Sequence, residues 1–390
     1  MTATASPTSP PTARTFACRA CGRASPPLVL DLGEVPASDQ FPPADDPYPD
    51  PRWPLTLHMC PSCLLVQLGP GRAAYPEPQL AVDSATALEH ARTSVAEVLA
   101  AEGIGPGSTV IELDSSHGAS WLPRFLEAGL REVPPDGRAD LVVDVHHLMH
   151  FEHLDPVLAA HAARVAPGGR FVCEFFHVLP VVQKTLIDTI RHGHFVYLSV
   201  LAARPLLARH GLTVTRAKLV DVYGGSVRLT AARSDEVPAV DPSVEDVVAL
   251  EGAAGLDRLA ALEALGARGA RAASEFRRHL EQLHREGRRV AGYGAPSKAP
   301  VLLALSKVGV DLLPYTVDLS PAKHGCRVPG VGVPIRPVQD LVDDRPDDVI
   351  VLTWDIADEV AAQLARMSAG SGWAPRLWAP LPEPRELSLP

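Results

Sequence analysis

The chain has 390 residues, and its 36 Lys and Arg against 46 Asp and Glu give a net charge of −10 with histidine neutral. At about 150 residues per domain, this length predicts two or three domains. A net negative charge supplies no long-range positive field for a polyanion, which argues against a nucleic-acid partner. No apolar run approaches the roughly 20 residues of a membrane span, and residues 1–14, rich in Thr, Ser, Pro and Ala, have the composition of a disordered tail rather than a secretion signal. We therefore expect a cytoplasmic protein with no membrane partner.

Four of the six cysteines form two closely spaced pairs, Cys18 with Cys21 and Cys60 with Cys63. In a chain without a secretion signal, paired C-x-x-C segments favour a tetrahedral metal site over disulfides. Four thiolates would fill the coordination sphere of zinc and leave no position for water or substrate, so the sequence predicts a structural zinc. A redox dithiol is the alternative. We assign residues 15–75 to a small zinc-binding domain.

Strands alternating with helices follow the cysteine region, and this order is typical of a parallel α/β sheet. The sequence predicts a helix over residues 85–101 and a buried strand running into a turn over 108–118. A second strand is predicted over 140–144, a helix over 155–165, and a turn with a third strand over 167–174. The Pro-Gly-Gly turn before an apolar strand resembles the class I methyltransferase fold.

A long linking helix is predicted over residues 243–288, where apolar residues recur at helical spacing in a segment rich in Ala, Leu, Glu and Arg. Residues 289–298 then predict a strand, a turn at Gly292 and Gly294, and the start of a helix. Such a turn offers backbone amides to an anion, and Lys298 adds a charge suited to phosphate. A purely structural tight turn has the same pattern.

Two further strands are predicted after this turn, over residues 313–317 and 348–352. Together they make residues 289–390 a Rossmann-like nucleotide-binding domain. Asp318, at the end of the first of these strands, is a candidate ligand for a ribose or a base.

Several motifs recur in one order along the chain and together carry a family resemblance. They are the cysteine pairs with Leu64-Leu-Val-Gln-Leu68, Asp188-Thr-Ile-Arg-His-Gly-His-Phe195, Tyr223-Gly-Gly-Ser-Val-Arg228, Gly292-Tyr-Gly-Ala-Pro-Ser-Lys298, Val317-Asp318 and Pro329-Gly330. The chain from Cys18 to about Pro384 resembles the sugar C-methyltransferases that act on nucleotide-linked deoxysugars. The resemblance implies a methyltransferase-like Rossmann domain over residues 76–235, between the zinc-binding and C-terminal domains, and thymidine diphosphate (TDP) as the substrate's nucleotide.

The resemblance also implies roles for individual side chains. In the family, a histidine removes a proton next to a 4-keto group, and the resulting enolate attacks the methyl group of S-adenosylmethionine. The candidate catalytic residues here are His194 as that base, His150, His192 and Tyr223. The candidate substrate-binding residues are Arg191, His177, Gly292, Gly294, Lys298 and Asp318. We interpret the remaining histidines of the middle region as structural. No carboxylate stands at metal-ligand spacing from them, so the sequence does not indicate a second metal site.

The cofactor turn departs from the family pattern. Of the expected acid followed by glycines, only Glu112 and Gly118 are kept, and Asp114 stands where a glycine would let the cofactor approach. The stretch between Gly118 and Asp140 is too short for a helix, a second strand and a further helix, so the sequence predicts a truncated domain. Glu132 could serve as the acid that binds the ribose hydroxyls, but it lies in a segment rich in Pro and Gly with no strand predicted before it.

These departures lead to a prediction of function without the methyl donor. We expect an enzyme that acts on a TDP-linked keto-deoxysugar by histidine-mediated proton transfer, as an isomerase, epimerase or pyranose/furanose mutase, with zinc as its structural metal and S-adenosylmethionine doubtful. The first alternative is an S-adenosylmethionine-dependent sugar C-methyltransferase with a rebuilt pocket. The second is a non-catalytic nucleotide-sugar-binding partner. The sequence leaves a monomer or a dimer open, and the resemblance implies secondary metabolism as the setting.

Overall fold

The computed structural model describes residues 16–71, 83–115 and 119–388. Within these ranges the chain forms an α/β structure with three sheets, one for each predicted domain. The predicted tail over residues 1–14 lies outside them. None of the helices in the described ranges is long and apolar enough to cross a membrane.

The N-terminal sheet is antiparallel and joins the zinc-binding domain to the middle domain. Its inner face is apolar at every second residue of the second strand, where Leu55, Leu57 and Met59 are buried. A short strand from the middle domain completes the sheet, with Tyr197 opposite Val66. The strands from the zinc-binding domain are β1 (Leu28–Pro36), β2 (Arg52–Met59) and β3 (Val66–Leu68).

The middle domain is a six-stranded sheet with helices on its faces. Its elements are α1 (Ala85–Glu102), β4 (Thr109–Ser115), α2 (Leu122–Glu127), β5 (Arg131–Glu132), β6 (Ala139–Val145), α3 (Leu154–Arg164), β7 (Val165–Phe176), α4 (Val178–Gln183), β8 (Val196–Tyr197, which joins the N-terminal sheet), α5 (Val200–Ala208), β9 (Leu212–Val220) and β10 (Ser226–Arg233). The strand order is β5-β4-β6-β7-β10-β9, and β10 runs antiparallel to both of its neighbours. The continuous apolar run of β6 is buried on both faces, as a central parallel strand requires.

The structure contains the second strand whose absence we inferred from the short stretch before Asp140. α2 is only six residues long, and β5, two residues long, pairs with β4 in parallel. The compact helix and strand therefore fit into the short connection. β5 is an edge of the sheet, and Glu132 occupies its carboxyl end, exposed. The prediction that Glu132 has no strand before it was therefore wrong.

The predicted linking helix over residues 243–288 is two helices, α6 (Ser243–Ala253) and α7 (Leu259–Arg285). Gly255, in the left-handed region with a φ of 77°, lies in the break between them. α6 packs against β9, whereas α7 crosses to the N-terminal sheet and packs against β1. The broken helix thus contacts two domains.

The C-terminal domain is a second Rossmann-like unit. Its elements are β11 (Val290–Tyr293), α8 (Ala299–Ser306), β12 (Thr316–Asp318), β13 (Ile335–Pro337), α9 (Gln339–Asp344), β14 (Asp348–Val351), α10 (Ala357–Ser368), β15 (Arg376–Ala379) and β16 (Arg385–Leu387). The order is β13-β12-β11-β14-β15-β16, parallel except for β16. The strand order reverses between β11 and β14, and ligands of open α/β sheets bind outside the carboxyl ends of the strands at such a point.

Candidate functional site

The four paired cysteines converge on one point of the zinc-binding domain. The Sγ atoms of Cys18 and Cys63 lie 3.5 Å apart, as do those of Cys21 and Cys60. All four sulfurs lie within 4.8 Å of one another. A tetrahedron with zinc–sulfur bonds of about 2.3 Å has edges of about 3.8 Å, so the four thiolates fit zinc. The four cysteines predicted from their spacing to form one zinc-binding cluster do lie together.

The middle and C-terminal domains enclose a cleft with a cavity volume of about 250 Å³. This is near the lower end of the range for small-molecule pockets. On the middle-domain side it is lined by the polar residues Asp83, His177, Arg191, His194 and Tyr223. On the C-terminal side it is lined by Ser297, Lys298 and Asp355.

The segment over residues 191–194 carries two of these side chains into the cleft. Gly193 takes a φ of 92°, a conformation that glycine adopts without strain, and β8 follows directly. Arg191, 3 % exposed, donates from its guanidinium to the Asp39 carboxylate of the zinc-binding domain at 2.6 Å. The His194 ring lies against Phe176, with ring centroids 5.7 Å apart. The N-terminal domain thus holds the segment from behind while His194 lines the cavity.

His150 lies behind His194 rather than in the wall of the cleft, with ring centroids 5.0 Å apart. Its Nδ1 donates to the Gly193 carbonyl at 3.1 Å, which fixes the tautomer. Burial and the neighbouring Arg191 charge lower the pKa of His150 to about 3, so its ring is neutral at physiological pH. His150 therefore supports the segment that carries His194.

His192, predicted to be catalytic, is not among the residues that line the cleft. Its Nε2 donates to the Pro54 carbonyl at 3.2 Å, and its ring meets Trp53 edge-on. Burial lowers its pKa. Because the turn at Gly193 separates the two histidines, His192 packs against the zinc-binding domain while His194 lies in the cleft.

The glycine turn after β11 departs from its predicted role as an anion cradle. The Asp318 carboxylate accepts from the backbone amides of Ala295 at 2.7 Å and Ser320 at 2.8 Å, so it ties the turn together. A Cβ at Gly292 would lie 2.6 Å from the Thr316 hydroxyl. Gly292, Gly294 and Asp318 are therefore held in packing contacts of their own domain and are not among the cleft-lining residues.

Lys298 does line the cleft, as part of a cluster that joins the two domains. Its ammonium pairs with Asp355 and lies 4.0 Å from the centroid of the Trp354 ring. The Trp354 indole donates to Asp188 of the middle domain at 2.7 Å. Burial raises the pKa of Asp188 to about 6. Glu359 of α10 adds a second contact between the domains, since its carboxylate accepts from the first amides of α1.

A buried carboxylate behind Tyr223 was missed by the sequence analysis. Glu174 of β7 accepts from Nε2 of His90 at 2.5 Å, from Nε2 of His146 at 3.2 Å and from Nε of Arg228 at 2.9 Å. These donors hold the pKa of Glu174 well below its usual range. The middle histidines thus do have a carboxylate partner, and the three ligand atoms lie within metal-binding distance of one another. Arg228 already balances the charge of Glu174, so a cation is not needed there.

The predicted cofactor residues have different environments. The Glu112 carboxylate accepts from the Ser120 hydroxyl and from the amides of Trp121 at 2.7 Å and Leu122 at 3.2 Å. Glu112 therefore caps the start of α2. Gly118 lies outside the described residues.

Comparison with known proteins identifies the domains. Residues 221–382 match the family model for a "C-methyltransferase C-terminal domain", and residues 18–70 match that for a "Putative zinc binding domain". The chain is 27 % identical over 413 aligned residues to the C-methyltransferase NovU of Streptomyces niveus, covering 95 % of this chain and 96 % of that protein.

Among solved structures, the magnesium protoporphyrin IX methyltransferase of Synechocystis PCC 6803 is 17 % identical, with a TM-score of 0.29 over 42 % of this chain and 90 % of that one. A complex of the Haloferax volcanii Trm112 activator with a methyltransferase is 14 % identical, with a TM-score of 0.31 over 37 % of this chain and 90 % of that one.

These findings overturn the predicted isomerase or epimerase that works without S-adenosylmethionine. A likeness to a C-methyltransferase over nearly the whole of both chains, with a C-methyltransferase domain in the C-terminal half, favours the first alternative. S-adenosylmethionine is accordingly expected rather than doubtful. The error came from treating a short connection as a lost half-domain, whereas the chain forms β5 within it.

Proposed function

We propose that this protein is an S-adenosylmethionine-dependent C-methyltransferase whose substrate is a nucleotide-linked keto-deoxysugar. The observation that carries the proposal is the cleft itself. It sets His194 and Arg191 of the methyltransferase-like domain opposite Lys298 of a second Rossmann-like domain. A nucleotide sugar has a carbonyl-bearing ring at one end and a diphosphate with a nucleoside at the other, which matches these two walls.

Lys298 is the group that would meet the diphosphate. Its ammonium already pairs with an anion, the Asp355 carboxylate, and both residues line the cavity. A diphosphate carries more charge than one carboxylate, so it would displace Asp355 as the partner of Lys298. The nucleobase of the substrate would then lie along the carboxyl ends of β11 and β14, where the strand order reverses. Thymidine as that nucleoside rests on the family resemblance.

His194 is the group that would take the proton from the carbon next to the substrate carbonyl. Imidazole is suited to proton transfer near neutral pH. The neutral His150 ring behind it adds no positive charge to oppose the imidazolium that forms. The Arg191 guanidinium, fixed by Asp39, supplies a positive charge on the same wall, which favours the developing enolate.

S-adenosylmethionine would lie outside the carboxyl ends of β4, β5 and β6, the usual location in an open α/β sheet. One residue at this edge of the sheet has the chemistry that the cofactor's ribose requires. The Glu132 carboxylate is exposed at the end of β5, so it is available to accept from ribose hydroxyls. When bound, the cofactor supplies an electrophilic methyl group on its sulfonium.

The test is methyl transfer from labelled S-adenosylmethionine to a TDP-4-keto-deoxysugar. We expect label on a ring carbon of the sugar with the wild-type protein and a loss of about 10²–10⁴-fold in turnover with His194→Ala, the usual contribution of a positioned acid or base. The matched control is His153→Gln, an exposed histidine of the same domain. Binding of the nucleotide sugar with no label transferred by the wild-type protein would refute the proposal.

A further inference from the structure

A buried histidine–glutamate pair forms part of the wall of the cleft. His177 immediately precedes α4, and Glu251 lies in α6. The His177 Nε2 and a Glu251 carboxylate oxygen are 2.6 Å apart, and the two side chains are 1 % and 0 % exposed. They are separated by 74 positions in the chain, so nothing in the local sequence pattern marks them as a pair.

The Glu251 carboxylate, carried by α6, is fixed by hydrogen bonds to the start of α5. Its two oxygens accept from the amides of Val200 at 2.6 Å and Leu201 at 2.8 Å, in addition to the His177 ring. All three partners donate hydrogen bonds to Glu251, and an ionised carboxylate, which only accepts, suits this arrangement. Among the residues that the structure describes, no Lys or Arg forms an ion pair with Glu251. The imidazolium form of His177 would therefore balance the buried negative charge.

The second ring nitrogen of His177 is the feature that indicates a role. His177 Nδ1 is buried and has no hydrogen-bond partner within the described part of the chain. A buried polar atom is normally satisfied, and a ligand group in the cleft that His177 lines would satisfy this one. The same cavity is lined by His194, the proposed base.

We infer that His177, held and charged by Glu251, is the general acid of the reaction and donates its Nδ1 proton to the carbonyl oxygen of the substrate. The inference rests on the proposed function and deepens it, because enolisation is accelerated by an acid on oxygen together with a base on carbon. Glu251 is a positioning residue, which does not itself meet the substrate.

The reaction balances in protons and electrons when His194 acts as base and His177 as acid. His194 takes the proton of the carbon next to the carbonyl, and the electron pair of that C–H bond becomes the C=C bond of the enol. The carbonyl oxygen takes the Nδ1 proton of His177. When the enol carbon forms its bond to the methyl group of the sulfonium donor, the S–C electron pair stays on sulfur, the carbonyl re-forms, and the proton returns to Nδ1. The proton on His194 leaves to water.

The pH profile distinguishes this role from a structural one. Besides Glu251, the charged or titratable groups that line the cavity with His177 are Asp83, Arg191, His194, Tyr223, Lys298 and Asp355. Burial raises the pKa of Tyr223, so its phenol does not titrate near neutrality. The base must be deprotonated and the acid protonated, so activity should rise and then fall with pH. On this division of roles, the alkaline fall reports the loss of the proton that the general acid must carry.

The experiment measures methyl transfer against pH for wild type, Glu251→Gln and His177→Phe. Glu251→Gln removes the negative charge beside the His177 ring, and we expect the alkaline fall to move to lower pH. His177→Phe should lose about 10²–10⁴-fold in turnover while calorimetric binding of TDP is kept. Exchange of the substrate's carbon-bound hydrogen with deuterated water, measured without the methyl donor, should fall in parallel.

The control is His161→Phe, because His161 is likewise buried beside a buried carboxylate, Asp144, but is not among the cleft-lining residues. It should keep both the rate and the pH profile. If wild type transfers no methyl group, the proposed function fails. If wild type is active and Glu251→Gln leaves the alkaline fall in place, the inference about His177 is overturned while the proposed function stands. Should His177→Phe not fold, the Glu251→Gln profile decides.

Discussion

The buried carboxylate of Asp188 makes the stability of the protein depend on pH in a direction that can be computed. Burial raises the pKa of Asp188 from 3.8 to about 6, while one of its oxygens accepts from the Trp354 indole and the other has no partner in the described chain. A carboxyl group with a raised pKa binds its proton more tightly in the folded state. Its stabilising contribution is therefore complete below about pH 3.8 and is lost as the pH rises through about 6.

The magnitude follows from the size of the shift. At 1.36 kcal/mol per pKa unit, the difference between 3.8 and about 6 amounts to about 3 kcal/mol over the full range. About 1.4 kcal/mol of this is present at pH 5 and essentially none at pH 8. Asp188→Asn cannot titrate, so the difference in unfolding free energy between variant and wild type should change by about 1.4 kcal/mol between these pH values, in favour of the variant at pH 8.

Urea unfolding of the full chain at pH 5 and pH 8 measures this difference. The unpaired amide that the variant places beside Trp354 lowers its stability equally at both pH values, so it cancels in the comparison. Asp136→Asn, at an exposed position, is the matched control and should show no change with pH. If the difference between Asp188→Asn and wild type is the same within about 0.5 kcal/mol at both pH values, the buried carboxyl does not titrate as argued.

Three further predictions concern other parts of the site. Cys60→Ser should release the metal and lower the melting temperature of the N-terminal domain, with about one zinc per chain found in the wild type by elemental analysis and less than half of that in the variant. Lys298→Ala should weaken calorimetric binding of TDP by at least about tenfold, whereas equal affinity would remove Lys298 from the diphosphate site. Gly294→Ala should destabilise the protein by about 1–3 kcal/mol in urea unfolding, because its φ is 91° and the new Cβ would lie 2.6 Å from a Thr353 carbon; an unchanged midpoint would contradict this.

Local spacing was enough to predict several features from the sequence. The zinc-binding domain follows from two C-x-x-C pairs, since the ligands of each pair share one turn of chain. Strand positions were also close: the strand predicted over 140–144 is β6 (Ala139–Val145), because its central Leu-Val-Val run has the apolar character of a buried parallel strand. The linking helix was overextended because Gly255 breaks it at a point where the apolar spacing continues.

The choice between neighbouring histidines could not be made from the sequence. His192 and His194 have the same chemistry two residues apart, yet one packs against Trp53 and the other lines the cleft. The positive φ of Gly193 decides this, and the contacts on either side come from different domains.

The order of the domains, the α/β class, the zinc ligands and the family resemblance follow from short local patterns, such as the two C-x-x-C pairs. Which polar groups meet in and around the cleft depends on the tertiary structure. Arg191 pairs with Asp39 across 152 positions, Trp354 with Asp188 across 166, and His177 with Glu251 across 74. Such pairs form where the packing of helices and sheets brings distant segments together, and no periodicity of the sequence encodes that approach. The short connection that was interpreted as a lost cofactor strand shows the same limit, since pairing with β4 makes a strand of two residues that have no strand pattern of their own.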